Sequence, residues 1–389
     1  LFNEAAPHPD LQGLSQLTFQ LCLSWQALWF ECGSAISAYP RYAALRDGYL
    51  SAIRAYEHLQ LRSGYRLIMA IGQSLMLYCL KDDSKKKFKE HRNTGREAMT
   101  TEPEKPAVDV PPEAFETPLI LVSSPRSGST MFFEALENSP DLHSIGGESH
   151  GLMESIAMLH PASRNYDSNV LQEKHCSQEV ARELRRRFFE SSFRKDGSRP
   201  VQGERIRLLE KTPKNALRIP FMNTLFPDAK FVYLYRDPKH VIASMLDAWP
   251  SGRFVTYPDL PGWQGYPWSL VLVPGWRDLI GKPLPQIVAQ QWATATRIML
   301  DDMERLAADR IIKVRYETLI ARPEAELKRV CNQCGIAEIN NLQELPLSKH
   351  TLTKPDPDKW KRHAAAIEDV WPLVAEQAAR AAKFIADTE

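Results

Sequence analysis

Eight consecutive residues, Ser123-Ser124-Pro125-Arg126-Ser127-Gly128-Ser129-Thr130, carry the most legible chemistry of this 389-residue chain. They follow the apolar run 118–122 and precede the apolar run 131–136, which reads as strand, turn and helix in succession. In that order the backbone N–H groups of the turn and the positive end of the helix face one point, where a phosphate or sulfate binds. The turn departs from GxxxxGK[ST], because Ser129 stands where that motif places Lys. Its fixed cation comes earlier, at Arg126, so a nucleotide kinase built on the loop Lys and Mg²⁺ fits less well.

A second constellation offers a second anion site. Residues 231–235 (FVYLY) have the pattern of a buried strand, Arg236-Asp237-Pro238 follow directly, and 240–246 place apolar residues at helical spacing. Arg236 then sits at the carboxyl end of a strand and Ser244 about two turns into the next helix. Open α/β sheets bind ligands at those strand ends, so both side chains reach a phosphate beside the first.

Other segments supply groups at the same edge. A short strand at 141–145 leads into Gly146-Gly147-Glu148-Ser149-His150, and a strand at 206–209 leads into Glu210-Lys211-Thr212-Pro213, where Pro213 suits a first helical turn. The strand 311–315 ends beside Tyr316, which is expected near the nucleotide. The fold class expected is α/β, with a three-layer, P-loop-like parallel sheet flanked by helices at 118–389. An α-helical N-terminal appendage is expected at 1–80, and a charged, Pro-containing linker at 81–117.

The pair PRSGST and YRDPKHVIASML resembles sulfotransferases that use 3′-phosphoadenosine 5′-phosphosulfate (PAPS). The likeness is closer to the tyrosylprotein and bacterial branch than to the cytosolic phenol and steroid enzymes, which usually carry Lys where Arg126 stands. It runs from about residue 118 to 363, continuing through VRYETLIARPEAELKRVCNQCGI (314–336) and the late segment SKHTLTKPDPDKWKRH (348–363). The resemblance implies that Arg126, Ser127, Gly128, Ser129 and Thr130 grip the 5′-phosphosulfate of PAPS, and that Arg236 and Ser244 grip its 3′-phosphate. It implies that Lys359 closes over the donor from the late loop. It also implies Glu148 as the general base, with His150 as its rival, and Lys211 with Arg126 as the transition-state cations. Sulfuryl transfer moves a group of lower charge than phosphoryl transfer, so the reaction is expected to need no metal. Two other readings are a noncatalytic nucleotide-binding or interaction module on the same fold, and a P-loop kinase.

The stretch 249–276 is long and aromatic, and it is the expected acceptor lid through Trp249, Phe254, Tyr257, Trp263 and Trp268. The acceptor class expected is a small-molecule, lipid or carrier-bound hydroxyl or amine. Cys331 and Cys334 lie near the end of an amphipathic helix with no second CxxC, so they read as structural thiols rather than metal ligands. A formal net charge of +1 argues against a general nucleic-acid binder. The apolar runs within 14–80 are short or interrupted for membrane spans, and a helical hairpin that packs or oligomerises is expected there. Six unpatterned cysteines and the absence of a secretory pattern at the amino end point to a cytoplasmic location.

Overall fold

The structure, a computed structural model, describes residues 110–339, 345 and 356–386. The chain divides into two units, Leu1–Glu104 and Lys105–Glu389, and the described residues belong to the second. The appendage expected at 1–80, the linker residues 81–109 and the late-segment residues 348–355 lie outside the described residues.

Strand β1, Leu119–Val122, is apolar at every position because both of its faces are covered. Leu119 and Leu121 pack into one core and Ile120 and Val122 into another. The loop after β1 opens helix α1, Ser129–Leu136, with Gly128 in the left-handed conformation just before it. Then follow β2, Leu142–His143, and α2, His150–Glu154, a single turn. Helix α3, Gln178–Ser191, starts on Ser177, whose hydroxyl caps the Val180 N–H, and buries Val180, Leu184 and Phe188. Next come β3, Arg207–Lys211, a 3-10 turn at Pro213–Leu217, and α4, Ile219–Leu225. Strand β4, Lys230–Tyr235, leads into α5, Pro238–Ala248, where Asp237 caps the Lys239 N–H and Pro238 occupies the first position.

A two-stranded antiparallel pair, β5 (Val255–Tyr257) with β6 (Trp268–Ser269), precedes the long helix α6, Leu284–Met303. Strand β7, Ile311–Arg315, passes directly into α7, Tyr316–Ala321, and α8, Pro323–Cys334. Helices α9, Ala364–Val370, and α10, Ala375–Ala386, complete the described residues.

Five strands form one parallel sheet in the order β2-β3-β1-β4-β7. Helices α1 and α8 cover the face bearing Leu119, Val232 and Leu234. Helices α3 and α4, with the ends of α6 and α10, cover the face bearing Ile120, Phe231 and Tyr233. This is the three-layer α/β architecture expected. The chain leaves β1 toward one edge and returns across it to β4, so β1 marks the reversal where ligands bind in open sheets.

The linker boundary expected at 117 needs correction. Val110 and Phe115 are buried, Phe115 bridges to Ile206, and its ring lies 4.9 Å from that of Phe226. Residues 110–117 therefore pack on the sheet domain, because their two apolar side chains have core partners. Val288, Trp292, Ala295 and Met299 of α6 are buried, whereas Leu306 lies past the helix end and is half-buried.

One turn controls how β2 delivers its residues to the site. Gly146 has φ +70°, and a Cβ there would lie 2.5 Å from the Phe193 ring, whereas one on Gly147 would meet nothing within 4 Å. Gly146→Ala combines a left-handed penalty with a clash and should destabilise the domain by about 2 kcal/mol or more. Gly147→Ala should leave the thermal midpoint within about one degree. Thermal unfolding of both variants checks this, and equal midpoints would contradict it.

Candidate active site

The turn between β1 and α1 takes its shape from two left-handed residues, Arg126 (φ 69°) and Gly128 (φ 94°). At Gly128 a side chain is excluded, since a Cβ would lie 2.5 Å from Cε2 of Tyr316. Arg126 is not a glycine, and its conformation is held from several directions. Its carbonyl accepts a hydrogen bond from Arg236 Nη1 (3.2 Å), its Nε donates to Ser244 Oγ (3.4 Å), and its guanidinium stacks 4.2 Å from the centre of the Phe254 ring. Burial, then the neighbouring Arg236 and Arg253, push its pKa down to about 10, so it stays charged at neutral pH.

Arg236 leaves the end of β4 and lies 4.3 Å over the Tyr316 ring. Its Nε is buried and has no hydrogen-bond partner among the described residues. A buried donor on a cation is costly to leave unpaired, so the geometry fits an anionic oxygen at that atom. Arg126, Gly128, Ser129, Thr130, Arg236 and Ser244 line one cleft of about 680 Å³, together with Tyr316 and Lys359. Ser127 is buried and is absent from that lining.

Glu148 and His150 line the same cleft. Lys211 is almost fully buried behind them, its Nζ 2.8 Å from Glu148 Oε1 and 3.2 Å from Thr130 Oγ1. One ammonium thus joins the carboxylate to the first helical turn of the phosphate loop. Burial works to raise the Glu148 pKa, but the His150 hydrogen bond and the Lys211 charge outweigh it and hold it at about 2. His150 Nδ1 lies 3.6 Å from Glu148 Oε2. Lys211 belongs to β3 itself, which extends further than the strand read at 206–209, so strand pairing with β1 fixes its position.

Lys359 sits in the 3-10 turn Lys359–His363, with Nζ 3.6 Å from Asp247. The same carboxylate meets Arg362 Nη2 and His363 Nε2, each at 2.9 Å. Asp247 lies one turn beyond Ser244 on α5, so it fastens the late segment to the helix that carries Ser244.

The acceptor-lid expectation is corrected for three of its five residues. Phe254 and Tyr257 line the cleft; Trp249, Trp263 and Trp268 do not. Trp249 and Trp268 are buried, and the three indoles pack edge to face, with Trp263 4.8 Å and Trp249 5.3 Å from Trp268. Large rings bury more apolar area in such a cluster than they would at a solvated rim. The buried Gln291 of α6 secures it, donating to the Ser269 and Val271 carbonyls and accepting from Trp249 Nε1 (3.2 Å).

A further group in the cleft matches no motif singled out above. Glu154 at the end of α2 accepts from Lys214 Nζ (2.8 Å at each oxygen) and from Arg218 Nη2, and Lys214 also donates to the Tyr257 hydroxyl (3.2 Å). Glu154, Lys214 and Tyr257 all line the cleft. Lys214 lies in the 3-10 turn Pro213–Leu217 and Arg218 just past its end, so no helical spacing in the sequence marked the pair. Among the described residues no group of three or more His, Cys, Asp or Glu is arranged to hold a metal, and Cys331 and Cys334 are free and buried in α8. No described helix is long and apolar enough to cross a membrane.

Comparison with known proteins adds an independent finding. The family model described as the sulfotransferase family matches residues 118–340, more than half of the chain. A protein-tyrosine sulfotransferase of Drosophila melanogaster is 26% identical over 218 residues, 55% of this chain and 37% of that protein. Protein-tyrosine sulfotransferase A of Caenorhabditis elegans is 25% identical over 217 residues, 55% of this chain and 49% of that protein. The matches thus span less than half the length of either relative. Sulfotransferase STF9 of Mycobacterium avium, a solved structure, is 16% identical, with 69% of this chain and 77% of that one aligned at a TM-score of 0.40. On the strength of the family match, the chain belongs to the sulfotransferase family.

Proposed function

We propose that this chain transfers a sulfuryl group from PAPS to a hydroxyl or amine acceptor, with no metal required. The observation that carries the reading is the unpaired, buried Arg236 Nε in the same cleft as the phosphate loop and the Glu148–Lys211 pair. Arg236 and Ser244 bind the 3′-phosphate, which distinguishes this donor from ordinary nucleotides. Arg126 and the N–H groups at Gly128, Ser129 and Thr130 bind the 5′ end, where the α1 dipole favours negative charge. PAPS supplies the activated sulfuryl; the protein supplies position and charge.

In the transfer, the acceptor oxygen or nitrogen forms a bond to sulfur as the bond from sulfur to the bridging phosphate oxygen breaks. Glu148 takes the acceptor proton, and Lys211 and Arg126 stabilise charge on the sulfuryl and the departing phosphate. Anionic oxygens brought over Thr130 give Lys211 a competing partner, which loosens its hold on Glu148 and raises that carboxylate's proton affinity. The pairing therefore keeps the base ionised before the donor binds and makes it more basic afterwards. Phe254 and Tyr257, with the polar wall of Glu154 and Lys214, face the acceptor. Small hydroxylated molecules, lipids and tyrosyl peptides are the acceptors to screen. The buried free thiols Cys176, Cys331 and Cys334 support a reducing, cytoplasmic setting.

Calorimetry with adenosine 3′,5′-bisphosphate and with 5′-ADP, both in EDTA, tests the donor. The bisphosphate should bind more tightly to the wild type, and Arg236→Ala should weaken it by about 10- to 100-fold while changing ADP affinity little. Binding that requires Mg²⁺, or shows no preference, would overturn the donor assignment.

The base is tested by substitution and by pH. Glu148→Gln should lower kcat by about 10²- to 10⁴-fold with bisphosphate affinity retained. Because kcat/KM reports the free enzyme, and Glu148 there is ionised well below the ordinary carboxylate range, kcat/KM should hold level from about pH 7 to pH 5. A fall of about tenfold per pH unit beginning near pH 6.5, the signature of an imidazole base, would move the role to His150.

A further inference from the structure

Beneath the Glu148–Lys211 pair lies a carboxyl group with no place in the chemistry above. Glu210 precedes Lys211 on β3 and is completely buried. Its Oε1 accepts from Ser149 Oγ (2.6 Å) and from Asn215 Nδ2 (3.0 Å). Among the described residues its Oε2 has no hydrogen-bond partner, and neither does Asn215 Oδ1. Two groups already joined by one bond thus each retain a bare acceptor. Turning the Asn215 amide over does not help, because it sets the amide oxygen against Oε1, one acceptor against another. The pair is one donor short. Were Glu210 ionised, Oε2 would be a desolvated anionic oxygen with nothing in return.

We propose that Glu210 is a neutral acid in the folded enzyme, its proton bridging Oε2 to Asn215 Oδ1, and that this acid–amide ring positions Glu148 and Lys211. Burial favours the protonated form and outweighs the opposing influence of the polar neighbours Ser149, Thr212 and Asn215 and the charge of Lys211. Lys211, on the same strand, is the charged group acting on it. The ring engages the reacting pair through their chain neighbours. Ser149, next to Glu148, donates its hydroxyl to Glu210 and its N–H to Thr212 Oγ1 (2.8 Å), and Thr212 is next to Lys211. A neutral Glu210 also leaves the Lys211 ammonium to Glu148 and the donor, where a second carboxylate would compete for it. The positioning half of this proposal rests on the roles given above to Glu148 and Lys211.

Infrared spectroscopy and two variants test it. The wild-type minus E210Q difference spectrum should contain a protonated-carboxyl C=O band that shifts in D₂O and persists from about pH 6 to pH 9. Absence of the band, or its loss by about pH 8, overturns the neutral acid. Glutamine supplies the same donor and acceptor as a neutral acid, so E210Q should keep kcat within about threefold of wild type. E210A should lower kcat about tenfold or more while leaving the dissociation constant of adenosine 3′,5′-bisphosphate within about threefold. An E210Q chain that misfolds, or loses as much kcat as E210A, overturns the proposal, as does normal kcat in E210A. Should E210A not fold, E210D, whose shorter side chain breaks the ring, takes its place with the same expectation. A persistent band alongside normal turnover in E148Q would instead refute the base assignment and leave the acid–amide pair standing.

Discussion

The site depends on the packing of the Tyr316 ring against Gly128. Tyr316 is the first residue after β7, Gly128 belongs to the turn after β1, and β4 lies between those strands. The ring comes so near the Gly128 backbone that a Cβ would lie 2.5 Å from it. Arg236, at the end of β4, closes over the same ring and hydrogen-bonds the Arg126 carbonyl. The carboxyl ends of three strands are thereby tied at one point, which holds the turn at Arg126 and the Arg236 side chain in fixed relation. A left-handed Arg126 costs about 1–2 kcal/mol, which the Ser244 bond and the Phe254 stacking offset.

Charge is distributed unevenly about that point. On the donor side the cations crowd one another, and the Arg126 guanidinium is depressed by both Arg236 and Arg253. On the other side every central charge has a partner: Lys211 with Glu148, and Lys214 and Arg218 with Glu154. An anion entering the cleft is therefore drawn to the end where it relieves repulsion, since at the other end it would have to break existing pairs. The cleft is polarised before any donor enters, and the orientation of a bisphosphate within it follows from that asymmetry.

What was legible in the sequence was local. Arg126 to Thr130, Glu148, Lys211 and Arg236 each follow a strand within a few residues, and a parallel sheet carries the ends of its strands to one edge. The turn chemistry and the apolar runs were enough to place them. The tryptophans were misjudged because composition does not say which way a ring points. Gln291, distant in sequence, binds the loop carbonyls and turns the indoles inward. The Glu154–Lys214–Arg218 group and the Glu210–Ser149 bond join segments about sixty residues apart, and no local pattern pairs them. Phe115 was assigned to a linker because its partners, Phe189 and Phe226, are likewise remote.

The two walls of the cleft are also mechanically linked, and one guanidinium does it. Arg126 belongs to the donor loop by backbone, yet its planar head lies flat on Phe254, which opens the segment leading through β5 to Tyr257. Tyr257 in turn accepts from Lys214 and from Asn169, whose carboxamide oxygen accepts from the Leu272 N–H. Whatever draws the Arg126 head toward a sulfuryl oxygen thus acts on a chain of contacts reaching the acceptor wall. The tryptophan cluster behind that wall includes the buried Tyr257 and is too well packed to follow, so any movement is confined to the half-buried residues 254–256. A rigid aromatic backing with a narrow adjustable front lets the donor side set the geometry that the acceptor meets, because both sides hold the same arginine.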